Sequence, residues 1–290
     1  MENNRIKEFI LGGNACLGLE FGSTRIKAVL IDGENKPIAS GAYDWENSLD
    51  NGIWTYSIED IHKGLATCYA NMKKDVQEKY GVTLKKLKAM GVSAMMHGYL
   101  AFDKGGNLLV PFRTWRNTIT GEASAKLSAL FAYPIPERWS ISHLYQAILN
   151  KEEHVKNIDF FTTLAGYVHW KLTGQKVLGI GDASGMFPVD MTSKNYNEKM
   201  LQSFDELIKP YGFAFKLQDI LPKVLLAGTK AGNLSSEGAK LLDKDGDLES
   251  GFDFAPPEGD AGTGREPADG ARRAYQGAGV DVRFHQGGGA

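Results

Sequence analysis

Between residues 17 and 45 apolar and polar positions alternate with a period of two, interrupted by short polar turns. "LGLEFGSTRIKAVLID" (17–32) reads as two strands around a Gly-Ser-Thr turn, with Leu17, Leu19 and Phe21 leading in and Ile26, Ala28 and Leu30 alternating behind. "DGENKP" is a second turn and "PIASGAYDW" a third strand, an antiparallel start to a sheet. The period then lengthens. Ile58, Ile61, Leu65, Cys68, Met72 and Val76 share one helical face over residues 57–81, with Ser57 as N-cap and Gly81 as stop. "LKAMGVSAMM" (87–96) reads as a buried strand, followed by "YLAFD", the turn "KGGN" and "LLVPF". Helical spacing predicts helices over 122–132, 140–150, 161–174 and 193–208, and a short one closing "LPKVLLAGTKAGNLSSEGAKLLD". "GIGDASGMFPVD" (179–190) is too rich in Gly, Asp and Ser to be the interior of an element. The order predicts an α/β fold with a mixed sheet flanked by helices, unlike the βαβ alternation of a dinucleotide-binding fold.

Composition narrows the class. Of 290 residues, 42% are hydrophobic and 23% charged, the balance of a chain that packs a core. A net charge of −2 argues against a nucleic-acid-binding surface. Cys16 and Cys68 stand far apart and no histidines sit at metal-ligand spacing, so neither a disulfide framework nor a zinc site is expected. Residues 1–14, "MENNRIKEFILGGN", read as an N-terminal extension rather than a signal peptide. No segment approaches the roughly 18 apolar residues of a membrane span, so a cytoplasmic protein without membrane partners is expected.

Five features carry candidate chemistry, each with a plain alternative. The turn Gly22-Ser23-Thr24 is either an ordinary hairpin or a cradle in which backbone N–H groups, two hydroxyls and Lys27 meet an anion. Glu20 beside it is a solvated strand-end acid or a carboxylate that holds Mg²⁺ through water. Met96-His97 follows a buried strand, where a neutral imidazole can both donate to and accept from a polyol, although a lone histidine also serves as a satisfied structural residue. In "FRTWRNT" (112–118), Trp115 with Arg116 and Asn117 offers an aromatic face beside polar groups, suited to a sugar or to simple packing at a core edge. In "PPEGDAGTG" (256–264), Asp260 stands between small residues, either as a turn acid or as a base able to accept a hydroxyl proton.

Taken in order, these segments resemble the FGGY carbohydrate kinases, especially the xylulokinase-like branch. "LGLEFGSTRIKAVLID" is similar to that family's first phosphate motif, and "GVSAMMHGYLAFDKGGNLLVPFRTWRNT" to its sugar-binding strand and Trp loop. "KLTGQKVLGIGDASGMFPVD" resembles its "DASG" segment and "PPEGDAGTG" the segment with its catalytic aspartate, so the likeness runs over roughly residues 15–264. The resemblance implies a ribonuclease H-like, actin-type ATPase fold and ATP-dependent phosphoryl transfer to a hydroxyl of a ketopentose or related sugar. It implies Asp260 as base, Met96, His97, Trp115, Arg116 and Asn117 at the sugar, Gly22, Ser23, Thr24 and Lys27 at phosphate, and Glu20 at Mg²⁺. Small-molecule sugar and nucleotide are the implied partners. Two departures stand out: Glu20 replaces the family's usual Asp, and Arg116-Asn117 replaces its usual Asn-Asp after the tryptophan.

The end of the chain differs from the rest. No lysine follows Lys244, and residues 265–290 hold four arginines, six glycines and no leucine or isoleucine. This composition reads as an aberrant, disordered tail. The family continues past the aspartate with a second lobe, so the expectation is an N-terminal lobe with a truncated or frameshifted end beyond Gly264, inactive by itself and prone to self-association. Two other classes compete: a non-catalytic sugar-binding lobe, and an actin- or Hsp70-like ATPase with a protein partner.

Overall fold

The computed structural model describes residues 2–260, the side chain of Asp260 excepted. The expected aberrant tail, 265–290, lies outside the described residues.

The chain opens with α1 (Glu2–Leu11), β1 (Cys16–Phe21), β2 (Arg25–Ile31), β3 (Pro37–Asp44) and the small hairpin β4 (Ser48–Asp50) and β5 (Ile53–Thr55). α2 (Ile58–Tyr80), β6 (Ala89–Met95) and β7 (Leu100–Phe102) follow, then α3 (Gly121–Phe131), α4 (Ser140–Leu149), β8 (Phe160–Thr162) and α5 (Leu164–Thr173). Next come β9 (Val177–Gly179), α6 (Ile180–Ala183), β10 (Val189–Asp190), β11 (Asn195–Tyr196), α7 (Glu198–Ile208) and α8 (Leu217–Ile220). β12 (Lys223–Leu225), α9 (Ser236–Leu242), β13 (Asp253–Phe254) and β14 (Glu258–Asp260) complete the described chain.

The main sheet runs β13-β6-β1-β2-β3, with β14 also on β6. β1, β2 and β3 are antiparallel, as the alternation predicts, whereas β6 lies parallel to β1, and β13 and β14 parallel to β6. Nearly every residue of β1, β2 and β6 is buried. One core gathers sheet residues such as Leu17, Leu19 and Val92 with Ile61, Leu65 and Met72 of α2 and Leu164 and Val168 of α5. A second packs Tyr99 and Phe161 with Leu127, Leu144 and Phe204 of α3, α4 and α7.

α2 begins and ends where its sequence signals stand. Ser57 accepts the Asp60 amide, and Gly81 adopts the left-handed conformation that returns its N–H to the Gln77 carbonyl. The helix packs backbone to backbone on β3. A Cβ at Gly41 would strike the Cys68 carbonyl and the Met72 amide, so only glycine fits there. The outward groups of β3 are covered as well: Ser40 N–H donates to Asp75 at 2.9 Å and Ala42 C=O accepts from Asn71 at 2.9 Å.

The expected N-terminal extension carries a helix of its own, and several expected elements further on are corrected. Residues 2–11 of the expected extension form α1, whose Ile6 and Ile10, four residues apart, enter the first core. The helix expected from 161 starts at 164, because Thr163 caps it and Phe160–Thr162 pairs antiparallel with β7. The helix expected from 193 starts at 198, where the Asn197 side chain accepts the Met200 amide. The 179–190 segment is not featureless: it contains the single helical turn α6. The Gly-Asp of 259–260 lies in a strand rather than a turn, paired with Ala94 and Met95.

Candidate functional site

Three parallel strands, β1, β6 and β14, reach their carboxyl ends on one rim of the sheet. This is where ligands bind in α/β sheets, since the loops that follow can close around them. The Gly22-Ser23-Thr24 turn leaves β1, Met96-His97 leaves β6, and Asp260 ends β14 in register with Met95.

The turn is held from behind. Trp45 Nε1 donates to the Gly22 carbonyl at 2.8 Å and the Tyr56 hydroxyl to the Ser23 carbonyl at 2.7 Å. In a trans peptide the N–H points opposite the C=O, so the Ser23 and Thr24 amides face away from the two rings. Successive amides presented together make an anion-binding concavity. Glu20 and Lys27 face each other across β1 and β2, with the ammonium 3.3 Å from Glu20 Oε1.

Trp115 and Arg116 join the turn. A cleft of about 430 Å³ is lined by Ser23, Thr24, Glu46, Asn47, Trp115 and Arg116. Trp115 is 44% exposed, and the Arg116 guanidinium lies 3.9 Å over the Trp54 ring while donating to Asn47 Oδ1 at 2.8 Å. Asn117 is placed differently. It is buried, its oxygen accepts the Trp54 amide at 2.9 Å, and its NH₂ donates to the Trp54 and Thr114 carbonyls at 2.9 and 3.0 Å. That amide ties the Trp loop to β5 rather than opening onto the cleft.

His97 adopts φ +71° and Gly98 φ +96°, a left-handed pair that is unusual for a non-glycine residue and recurs at functional sites. Ser140 Oγ holds this bend through the Gly98 carbonyl at 2.5 Å. His97 Nδ1 lies 3.3 Å from the Gly185 carbonyl. Burial, with Arg138 adding to it, holds the imidazole below its ordinary range, and the Gly185 bond opposes this in part.

Mg²⁺ keeps most of its waters and takes few protein ligands, so one carboxylate beside a phosphate turn can suffice. Glu20, one residue from the turn and 13% exposed at its side chain, fits such a water-bridged ion. Among the described residues, no three His, Cys, Asp or Glu side chains gather as they do around a protein-enclosed metal.

Trp45, Tyr56, Glu46 and Asn47 are the residues that the sequence reading does not single out. Trp45 stood at the end of the third expected strand, and continuing the hairpin register would have placed it beside Thr24, whose carbonyl accepts the Trp45 amide at 3.1 Å.

A mixed sheet with a phosphate-type turn, a polar strand end and an acid-bearing edge strand on one rim defines a small-molecule-binding α/β lobe. Residues 15–245 match the N-terminal domain of the FGGY family of carbohydrate kinases, and the chain belongs to that family. It is 19% identical over 249 residues to a xylulose kinase of Staphylococcus xylosus, covering 80% of this chain and 47% of that one. It is 21% identical over 201 residues to a glycerol kinase of Thermococcus kodakarensis, covering 65% and 40%. Its fold matches the crystal structure of ligand-bound xylulose kinase from Lactobacillus acidophilus with a TM-score of 0.70 at 16% identity, over 85% of this chain and 48% of that one. The chain thus spans about half the length of the relatives it matches.

Proposed function

We propose that this chain is the sugar-binding lobe of an ATP-dependent kinase that phosphorylates a hydroxyl of a ketopentose, such as xylulose, or of a related polyol. The observation that carries this reading is the convergence of three strand ends, β1, β6 and β14, on one rim. In it Met96, His97, Trp115 and Arg116 contact the sugar, and Asn117 supports the Trp loop from below. The Ser23 and Thr24 amides, both hydroxyls and Lys27 hold the transferred phosphate after Gly22 turns the chain. Asp260 orients the acceptor hydroxyl and takes its proton while the hydroxyl oxygen attacks the γ-phosphorus and ADP leaves. Glu20 would hold Mg²⁺ through water, and the ion would neutralise phosphate charge.

Thermal-shift titration with a panel of pentuloses, pentitols and glycerol tests the reading, because a ligand bound only to the folded state raises the melting temperature. At least one sugar is expected to raise it, and loss of that shift in His97→Ala is expected. A shift with nucleotide and with no sugar would favour a protein-partnered ATPase instead. With half of its relatives' length unmatched, the chain is expected to release little ADP in a coupled assay.

A further inference from the structure

Glu258 is buried, yet nothing in the phosphoryl-transfer reading uses it. It sits two residues before Asp260, in register with Ser93 on β6. Its carboxylate lies against Gly179 and Gly181, where a Cβ on either would collide with it, and Oε2 accepts the Asp182 N–H at 3.1 Å. The Gly179 N–H donates to the Pro257 carbonyl at 2.7 Å. The 179–185 segment is therefore fastened at two points, to Pro257 just before β14 and to the Glu258 carboxyl group within it.

The far end of that segment touches His97. The Asp182 carbonyl accepts the Gly185 N–H at 3.0 Å, and the Gly185 carbonyl faces His97 Nδ1. A Cβ on Gly185 would lie 2.7 Å from the same Nδ1, so the ring rests directly on this backbone. Gly259 closes the triangle: a Cβ there would strike the Met96 side chain and come within 2.6 Å of Asp182 Oδ1. Asp182 is itself pinned by the Thr163 hydroxyl at 2.5 Å. A carbonyl oxygen only accepts, so the bond to Gly185 requires hydrogen on Nδ1 and leaves Nε2 as an acceptor.

We propose that Glu258 is a positioning residue: by anchoring the 179–185 segment to β14, it fixes His97 in the Nδ1–H tautomer, with Nε2 presented as an acceptor to a sugar hydroxyl. The sugar in this statement rests on the function proposed above; the tautomer does not. The arrangement ties the strand that carries Asp260 to the imidazole beyond β6, so base and sugar contact are set by one connected piece of backbone.

Long-range ¹H–¹⁵N imidazole spectra of the full chain test it, with His97 assigned by loss of its signals in His97→Gln. The wild type is expected to show His97 as the Nδ1–H tautomer. Glu258→Ala removes the anchor, and His97 is expected to move to the averaged pattern of an unfixed imidazole. Glu258→Gln keeps an oxygen for the Asp182 N–H and is expected to retain the wild-type pattern. Glu258→Asp, one methylene shorter, is expected to behave as Ala and serves if Ala does not fold, folding being judged by unchanged signals of buried His143 and His169. An Nε2–H tautomer in the wild type, or equal behaviour of the Gln and the shortened or deleted variants, overturns the proposal. In D-xylulose titrations, Glu258→Ala is expected to bind about tenfold more weakly, and Glu258→Gln within about twofold of wild type, the scale of one hydrogen bond. Absence of sugar binding by the wild type would overturn the functional reading while leaving the tautomer result intact.

Discussion

The rings of Trp45 and Tyr56 stack with centroids 4.1 Å apart and planes 27° from parallel, and the two side chains donate to successive carbonyls of one turn, Gly22 and Ser23. Aromatic packing and hydrogen bonding thereby act on the same three residues. Tyr56→Phe keeps the stack and removes one donor, leaving the Ser23 carbonyl to be satisfied by water or to reorient. A stability loss of about 1 kcal/mol is expected in denaturant unfolding. Any anion affinity of the turn is expected to fall more in Trp45→Leu, which removes donor and stack together, than in Tyr56→Phe. Phosphate titration of both variants checks the order.

Gly41→Ala is expected to be among the most damaging small substitutions in the chain. The added methyl meets backbone atoms of α2, which cannot rotate away as a side chain can. Separation of helix and sheet is expected to cost about 3 kcal/mol. That corresponds to a fall of roughly 6–12 °C in melting temperature for a chain of this size. Ala at Gly52, a left-handed position with open space around it, is the control and is expected to cost less.

Asn117→Asp puts a carboxylate in place of this buried amide and is expected to destabilise. The carboxylate would face the Trp54 and Thr114 carbonyls that now accept the Asn117 NH₂. Two donated bonds are lost and like partial charges meet, for a loss of about 2–3 kcal/mol at neutral pH. Thermal unfolding at pH 7 checks this, and loosening of the Trp loop is expected to appear as a red-shifted Trp115 emission.

Acid sensitivity follows from two buried imidazoles. Burial, with Arg113 close by, pushes His143 down to about 3 and His154 to about 4 from an ordinary value of 6.5. Both are uncharged in the folded chain and take up protons only on unfolding, so between pH 6.5 and about 4 the unfolded state binds more protons. Stability therefore falls as pH falls through that window, by up to about 1.4 kcal/mol per pH unit for each fully linked histidine. His143→Leu is expected to flatten the acid limb of a plot of unfolding free energy against pH. An unchanged slope in that variant would contradict the assignment.

The elements with strong local periodicity, β1 to β3, α2 and β6, were legible because alternation and capping are local properties of the chain. β14 and α6 were not. Each spans three or four residues rich in glycine, and each exists because of a distant partner: β6 for β14, and the Glu258 carboxylate for α6. The site followed the same division. The Gly-Ser-Thr turn and the Met96-His97 strand end are readable from neighbours in sequence. Trp45 and Tyr56 act on the turn across more than twenty residues, and only sheet register brings them there. Asn117 was visible as a polar residue beside a tryptophan, but the direction of its amide depends on β5, which lies 63 positions earlier at Trp54.

The helix that seals β3 has a consequence for how copies of this chain can meet. Asp75 and Asn71 already occupy the outer hydrogen-bonding groups of that strand, and the Gly41 contact leaves no room for a foreign backbone to slide in. A second copy cannot lengthen the sheet by docking a strand on this border. Association of the kind expected from the sequence is therefore turned away from the β3 border and has to use another part of the surface.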